Sequence, residues 1–250
     1  MRELRPALEF IDTVDDCISV IIAALNEEAT IASVVRELQH EVGPLMRECI
    51  VVDNGSTDNT RAAAASAGAR VVSEPRRGYG RACATGVEQA DPQSAVLVFL
   101  DGDGSDVPSE IPRLAARVIG GNYDFAIGSR TRGKRDQGSL LASQVFAAWL
   151  FGTVIRLRYR VRYTDMGPLR AISREALARM RMTETTYGWN LEMQVKAAAM
   201  KLRIVELPVA YRCRQGGESK VAGSFEGSIR AASRLTQVML RMALVTRQQN

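Results

Sequence analysis

The chain alternates between two patterns of hydrophobic and polar positions. Apolar runs rich in β-branched residues form most of residues 17–25, 48–54 and 95–101. Runs of this length and composition are typical of buried strands. Between them, as in residues 31–38, apolar positions recur three and four residues apart, which predicts helices with one buried face. The alternation predicts an α/β fold in which a mostly parallel sheet carries helices on both faces.

The pattern changes in the second half of the chain. Residues 138–155 carry no charge, yet they fall short of the ~20 apolar residues that a spanning helix needs. They predict a core or interfacial helix. In residues 156–163, arginines alternate with apolar and tyrosine residues. As a strand, this segment would place four guanidinium groups on one face.

The last residues have apolar positions at helical spacing, and their arginines lie largely off that stripe. We therefore expect one domain at 1–222 followed by a basic amphipathic helix at 223–250. A basic amphipathic helix beside an uncharged helix is typical of an interfacial protein, so peripheral membrane contact is left open.

Composition narrows the chemistry and the location. The chain has 33 Lys and Arg against 28 Asp and Glu, and much of the excess is bunched, which points to an anionic partner. Four scattered cysteines without a CxxC pair argue against disulfides or a zinc site. The single histidine, His40, lies far from any motif, so a histidine-based triad is excluded. Because residues 1–16 lack the apolar core of a signal peptide, we expect a cytoplasmic protein, with attachment to the inner face of the cell membrane left open.

Three carboxylates follow one predicted strand, in the segment VFLDGDGSDVP at residues 98–108. Crowding like charges costs free energy unless a cation lies among them. Mg²⁺ takes one or two carboxylates together with phosphate oxygens, so Asp101 and Asp103 are predicted metal ligands. An EF-hand would need Gly and Glu where the chain has Asp106 and Pro112, so that alternative fails. Asp106 is predicted to cap the next helix.

Polar residues end several of the predicted strands, where ligands of parallel sheets bind. Among them Asp53 would need a donor partner, such as a ribose or a base edge. The loop after residue 75 carries Arg77 and Arg81 beside a helix start and could hold a diphosphate, although it lacks the GxGxxG spacing. Residues 211–220 place basic side chains around a Gly-Gly pair. This pattern predicts a cationic lid, with a solvated basic turn as the alternative.

Taken in order, the motifs resemble the family 2 glycosyltransferases, and within them the dolichyl-phosphate (polyprenyl-phosphate) mannosyltransferase-like group. The similar segments, between about Ile18 and Val221, are SVIIAALNEEATI, VVDNGSTDNT, RRGYGRACATG, LDGD, IGSR, TDMGPLRAI, GWNLEMQ and ELPVAYRCRQGGESKV. The resemblance implies a GT-A fold, a nucleotide-diphospho-sugar donor such as a UDP- or GDP-sugar, and Mg²⁺ or Mn²⁺ on the acidic pair. It also implies polyprenyl phosphate or another lipid-linked acceptor. Within a GT-A domain at 1–222, it implies a nucleotide-sugar half at about 17–130 and an acceptor half at about 131–222.

The resemblance also assigns roles to individual positions. The residues that would hold the nucleoside are Ala24, Asn26, Glu27 and Asp53. Asp101 and Asp103 would bridge through metal to the diphosphate. The residues that would face phosphates of donor or acceptor are Arg130, Arg212, Ser219 and Lys220. The chain departs from the polyprenyl-phosphate enzymes at residues 104–106, where Gly-Ser-Asp stands in place of Leu-Gln-His, and this difference bears on the acceptor.

The expected reaction is an inverting, in-line displacement at the anomeric carbon. A lipid phosphate acceptor is already an anion and would need only cations around it, from residues 156–162, Arg212 and Arg214. A soluble hydroxyl acceptor would need a general base, for which Asp165 and Glu192 are the candidates. A sugar nucleotidyltransferase would carry a Gly-rich Arg and Lys signature near residue 20, which is missing. A non-catalytic binder of anionic surfaces or nucleic acid would not explain the acids at strand ends, and we expect no nucleic-acid partner.

Overall fold

A computed structural model describes residues 17–216 of the chain. Within them, seven strands form one sheet in the order β3-β2-β1-β4-β6-β5-β7. The strands are β1 Ile18–Ala24, β2 Met46–Asp53, β3 Arg70–Ser73, β4 Val96–Asp101, β5 Phe125–Ser129, β6 Arg170–Ser173 and β7 Ile204–Pro208. Only β6 is antiparallel to its neighbours, β4 and β5. The expected α/β fold with a mostly parallel sheet is confirmed.

Helices cover both faces of this sheet, because its central strands are apolar on both sides. The helices are α1 Ile31–Val42, α2 Thr60–Ser66, α3 Tyr79–Gln89, α4 Ile111–Ile119, α5 Ala142–Tyr159, α6 Arg174–Met180 and α7 Trp189–Ala199. Residues of α1, α2 and α4 pack on one face, and residues of α3, α5, α6 and α7 pack on the other. In β1, Val20 and Ile22 belong to the first core and Ile21 to the second, as alternation along a strand requires.

The prediction of an arginine-rich strand after residue 155 is wrong. Helix α5 continues through Arg156 and Arg158 to Tyr159, and Arg160 ends it in the left-handed conformation (φ 62°). Adding a residue to an existing helix costs little compared with starting a strand, and Arg and Leu are good helix formers. The four guanidinium groups therefore do not share one strand face.

Other expectations fall on parts of the chain that are not described. The predicted helix at 223–250, the end of the acceptor half, Ser219 and Lys220 lie outside residues 17–216. Of the helices in the described part, none combines the length and apolar character needed to cross a bilayer.

Candidate active site

A cavity of about 600 Å³ opens at the carboxyl edge of the sheet. The ends of β1 and β4 meet there, because Ala23 lies opposite Asp101 in the register of these two parallel strands. The end of β2 adjoins them, since Ala24 lies opposite Asp53. Arg130, directly after β5, reaches the same cavity across the sheet. The parallel register thus brings together side chains that are far apart in sequence.

The acidic loop after β4 forms the floor of this cavity. Asp101 and Asp103 both line it, and Asp103 Oδ1 accepts hydrogen bonds from the backbone N of Ser105 (3.0 Å) and its Oγ (2.5 Å). Asp106 does not cap a helix as expected. Its Oδ2 accepts a hydrogen bond from the backbone N of Asp101 (3.0 Å), and the following 3₁₀ turn begins after Val107 without a side-chain cap. All three carboxylates therefore lie in the loop after β4, and two of them accept hydrogen bonds from its backbone.

This loop carries uncompensated negative charge. Asp101 Oδ1 is buried and has no hydrogen-bond partner within residues 17–216, although Tyr79 hydrogen-bonds the carboxylate. Burial, with the charges of Asp103 and Asp106, raises the pKa of Asp101 well above its ordinary value. Burial likewise raises the pKa of Asp106. A cation among these groups would offset the free-energy cost of keeping the buried carboxylates ionised.

The loop fits a hard divalent cation that is shared with a substrate. Two carboxylates at a cavity wall, one with an orphaned oxygen, provide the ligands that Mg²⁺ or Mn²⁺ uses beside phosphate oxygens. In the described part of the chain, no three Asp, Glu, His or Cys side chains converge to form a metal-binding group. The remaining ligands would therefore come from the substrate and water.

Arg214 neutralises part of the acidic loop in this arrangement. Its Nη1 lies 2.9 Å from Asp103 Oδ2, and its Nη2 pairs with Glu27 Oε1. The backbone N of Gln215 donates to the carbonyl of Asp103 (3.1 Å), and that of Arg212 donates to the carbonyl of Ser105 (2.9 Å). Residues 212–216 thus lie across the acidic loop, where a cationic lid was predicted.

The neighbouring Arg212 lies elsewhere. Its guanidinium forms a two-pronged ion pair with Glu37 on α1 (2.8 and 3.0 Å), and it does not line the cavity. The expectation that Arg212 faces phosphate is therefore not supported by its position. Arg214 lines the cavity instead, and nothing in the sequence separates the two arginines.

The predicted nucleoside residues cluster at the ends of β1 and β2. Ala24 and Glu27 line the cavity. Asn26 and Asp53 stand behind it and hold the loop after β2. Asn26 Oδ1 accepts from the backbone N of Thr57 (2.8 Å), and Asp53 Oδ1 accepts from the backbone N of Ser56 (3.0 Å).

A further residue at this end, Asn54, was not predicted. It lines the cavity, its Nδ2 donates to two backbone carbonyls of residues 74–76 (2.9 Å each), and its Oδ1 accepts from Gly78 N (2.7 Å). Gly78 has φ 146°, and a Cβ there would lie 2.3 Å from the carbonyl oxygen of Thr185, so only glycine fits. Asn54 thus holds the loop of residues 74–78, which places Arg77 at the cavity. Arg81 does not line the cavity.

Arg130 and Asp165 form a buried, bidentate ion pair on the opposite wall. Arg130 Nε and Nη2 each lie 2.8 Å from a carboxylate oxygen, and the Arg130 guanidinium lies over the Tyr211 ring at 5.0 Å. Although burial opposes ionisation, the hydrogen bonds and charge of Arg130 hold the pKa of Asp165 below its ordinary value. Asp165 therefore positions Arg130 and is poorly suited to accept a proton.

Glu192 is not brought to the cavity. It is 1% exposed, and it accepts hydrogen bonds from Thr183 N (3.1 Å) and Oγ1 (2.7 Å) and from Glu184 N (2.7 Å). Lys196 also pairs with it at 2.8 Å. These contacts give Glu192 a structural role in the loop before α7. Its position does not support the expectation of a general base.

A mostly parallel α/β sheet with an acidic pair and arginines at its carboxyl edge defines a GT-A-type fold. The solved structure of glucosyl-3-phosphoglycerate synthase from Mycobacterium tuberculosis, in complex with Mn²⁺ and UDP-glucose, is similar to this chain with a TM-score of 0.73. The two are 24% identical, and the match covers 95% of this chain and 82% of that one. This likeness supports the assignment of the fold.

Sequence comparison identifies the family. Residues 19–181 match the profile of Glycosyl transferase family 2. An uncharacterized glycosyltransferase of Mycobacterium tuberculosis is 37% identical over 216 residues, which cover 86% of this chain and 94% of the relative. A dolichyl-phosphate hexose transferase of Haloferax volcanii is 31% identical over 238 residues, with 93% and 97% coverage. The chain belongs to glycosyl transferase family 2 and is a glycosyltransferase.

Proposed function

We propose that the enzyme transfers a hexose from a UDP- or GDP-sugar, with Mg²⁺ or Mn²⁺, to polyprenyl phosphate or another lipid-linked phosphate. The observation that carries this proposal is the acidic pair, Asp101 and Asp103, which faces the cavity with one orphaned carboxylate oxygen. Cationic side chains surround it at Arg77, Arg130 and Arg214. An anionic diphosphate is the ligand that such a mixture of acids, metal and arginines recognises.

Similar proteins support the donor and metal. The solved glucosyl-3-phosphoglycerate synthase was captured with Mn²⁺ and UDP-glucose, and the relative in Haloferax volcanii is named a dolichyl-phosphate hexose transferase. In this chain Asp101 and Asp103 would hold the metal ion. Bound there, the ion would supply Lewis-acid neutralisation of the charge that develops on the leaving diphosphate.

The remaining cavity residues take the other parts of the donor. Ala24 and Glu27 line the nucleoside end, with Asp53 and Asn26 fixing the adjoining loop. Arg77 and Arg130 stand where they can stabilise phosphate charge. In the reaction, the bond from the anomeric carbon to the diphosphate oxygen breaks and its electron pair leaves with the nucleoside diphosphate. The acceptor oxygen forms the new bond from the opposite side of the sugar.

The state of the carboxylates favours a phosphate acceptor over a hydroxyl. A hydroxyl acceptor loses a proton, whereas a phosphate oxygen is already anionic and needs no base. Asp165 is bound by Arg130, and Glu192 is occupied by backbone donors and Lys196. Neither candidate base within residues 17–216 is available to take that proton.

The test is a transfer assay with purified full-length enzyme, Mn²⁺ and each UDP- and GDP-hexose. Polyprenyl phosphate in detergent, 3-phosphoglycerate and a plain alcohol serve as separate acceptors, and products are identified by mass spectrometry. We expect a hexosyl-phosphoryl lipid that Asp103→Asn does not make. Transfer to the soluble acceptors alone would contradict the lipid acceptor, and turnover unchanged by a chelator would contradict the metal.

A further inference from the structure

Helix α5 presents an apolar face to the outside of the protein. Seven large hydrophobic side chains are exposed among residues 17–216, and six of them lie on Leu141–Leu157. They are Leu141, Phe146, Trp149, Leu150, Val154 and Leu157. Their spacing of three and four residues places most of them along one side of the helix. Trp149 is 61% exposed and Leu157 81% exposed, and Phe146 packs on Trp149 with ring centroids 5.8 Å apart.

The opposite side of α5 is already buried in the protein. Ala148, Phe151, Gly152 and Ile155 pack into the core, and a Cβ at Gly152 would lie 2.6 Å from the carbonyl oxygen of Tyr163. The helix is thus apolar on both sides, although only one side has a partner in the described structure. A concentrated apolar patch on a surface is typical of an interaction site.

The charges on α5 and on the residues directly after it are of one sign. Residues 137–164 contain four arginines and no aspartate or glutamate. All four, at positions 156, 158, 160 and 162, are exposed. None pairs with a carboxylate of residues 17–216. The partner of this face should therefore be apolar and anionic together.

We propose that the outer face of α5 docks on an anionic lipid bilayer. Its aliphatic and aromatic side chains would enter the boundary between head groups and acyl chains, where tryptophan is favoured. The long arginine stems would keep their guanidinium groups at the level of the anionic head groups. A second copy of this chain would cover the apolar residues, but it would bring more arginines and no acid from this segment to neutralise them.

The docking face leads directly to the active site. Leu141 belongs to the exposed apolar set, and it also lines the cavity together with Ser139 and Gln144. Docking through α5 would hold the cavity mouth beside the lipid surface. An acceptor could then present its phosphate to the cavity while its tail stays in the bilayer. This last consequence rests on the proposed lipid acceptor, whereas the docking itself can be measured without any turnover.

The direct test is sedimentation of the full chain with phosphatidylcholine vesicles, prepared with and without phosphatidylglycerol. We expect binding only when phosphatidylglycerol is present. The double substitution Trp149→Ser with Leu157→Ser should weaken it by about tenfold or more, because it removes the most exposed apolar anchors. Arg158→Gln with Arg162→Gln should weaken it similarly, and added salt should do the same. The matched control Arg36→Gln, on the opposite face of the sheet, should bind as wild type.

Tryptophan fluorescence provides a second measurement of membrane contact, at Trp149 alone. The chain has two tryptophans, of which Trp149 is exposed and Trp189 is 3% exposed in the core. Anionic vesicles should shift the emission to shorter wavelength in the wild type. In Trp149→Phe, which keeps the apolar character, the protein should still sediment but the shift should vanish.

Several results would overturn the proposal. One is a chain that stays in the supernatant, and another is equal binding to vesicles without phosphatidylglycerol. A double serine variant that binds like the wild type would place docking elsewhere in the chain. A wild-type dimer that the serine substitutions convert to monomer would assign the face to a second copy. Binding of UDP and Mn²⁺ should be the same in wild type and serine variant, which separates failure of docking from failure of the proposed chemistry.

Discussion

Two sets of buried carboxylates in this glycosyltransferase are compensated in opposite ways. In the loop after β4, Asp101 keeps an oxygen without a partner among residues 17–216, and burial together with its like-charged neighbours raises its pKa. By contrast, Asp165 is fully engaged by Arg130, and Glu192 by Lys196 and backbone donors. Glu206 likewise accepts from the backbone N and Oγ1 of Thr164.

This difference distinguishes carboxylates that can bind a cation from carboxylates that hold the structure in place. A carboxylate that the protein leaves uncompensated destabilises the free enzyme and becomes favourable only when a cation arrives. A carboxylate that the protein compensates holds a loop or another side chain in place. Burial alone does not distinguish the two classes, since Asp106, with one oxygen orphaned within residues 17–216, and Glu192 are both largely buried. The two classes differ in whether each carboxylate oxygen has a hydrogen-bond or ion-pair partner in the protein.

The largest expected effect is on catalysis, at the acidic pair Asp101 and Asp103. Asp103→Asn should lower kcat by about 10³-fold, because the leaving diphosphate would lose its electrostatic stabilisation. Its thermal stability without metal should stay near that of the wild type, because the lost ion pair with Arg214 and the relieved repulsion from Asp101 oppose each other. Steady-state kinetics and thermal unfolding check both parts. Asp124→Asn, which breaks a pair with Arg203 near the start of β5, serves as the matched control and should retain activity.

The next effect is on stability, at the compensated pair. Asp165→Asn should lower the free energy of unfolding by about 3 kcal/mol, because Arg130 would stay buried without its counter-ion. The folded-state pKa of Asp165 is depressed, so the contribution is present above the unfolded value of about 4 and is lost as pH falls through the folded value. Urea unfolding at neutral pH and below pH 4 measures it. Equal stability of the two proteins at neutral pH would remove the distinction between the two sets of carboxylates.

A smaller effect is expected at Arg214, on the affinity for metal. In the structure its guanidinium group pairs with Asp103, where a metal ion would bind. Arg214→Gln should strengthen binding of Mn²⁺ alone by about fivefold, the equivalent of about 1 kcal/mol for a partly buried ion pair. Titration of Mn²⁺ in the absence of nucleotide measures it. Weaker Mn²⁺ binding by the variant would mean that Arg214 helps to build the metal site.

The smallest effect is expected at Arg212, two residues away. Its ion pair with Glu37 is partly exposed, so Arg212→Gln should change the free energy of unfolding by less than about 1 kcal/mol. Activity and Mn²⁺ binding should stay at wild-type levels. A loss of activity comparable to that of Asp103→Asn would mean that Arg212 does contact phosphate, as the sequence predicted.

The sequence was most informative where parallel strands end. Hydrophobic runs located β1, β2 and β4, and the geometry of a parallel sheet then placed Asp53 and Asp101 at one edge. It was least informative where side-chain partners decide the role. The sequence does not reveal that Arg212 pairs with α1 while Arg214 reaches Asp103, or that Glu192 turns toward backbone donors. The arginine-rich strand was wrongly predicted because alternation over eight residues fits a strand, whereas the preceding helix simply continues.

The most direct test of the account is the coupling between metal and nucleotide at Asp101 and Asp103. Calorimetric titration of UDP and GDP into the wild type should give at least about tenfold tighter binding with Mn²⁺ than without it for one of the two. The gain should disappear in Asp101→Asn and in Asp103→Asn and persist in Asp124→Asn. Nucleotide binding that is independent of Mn²⁺, or an undiminished gain in both acidic-pair variants, would contradict the account.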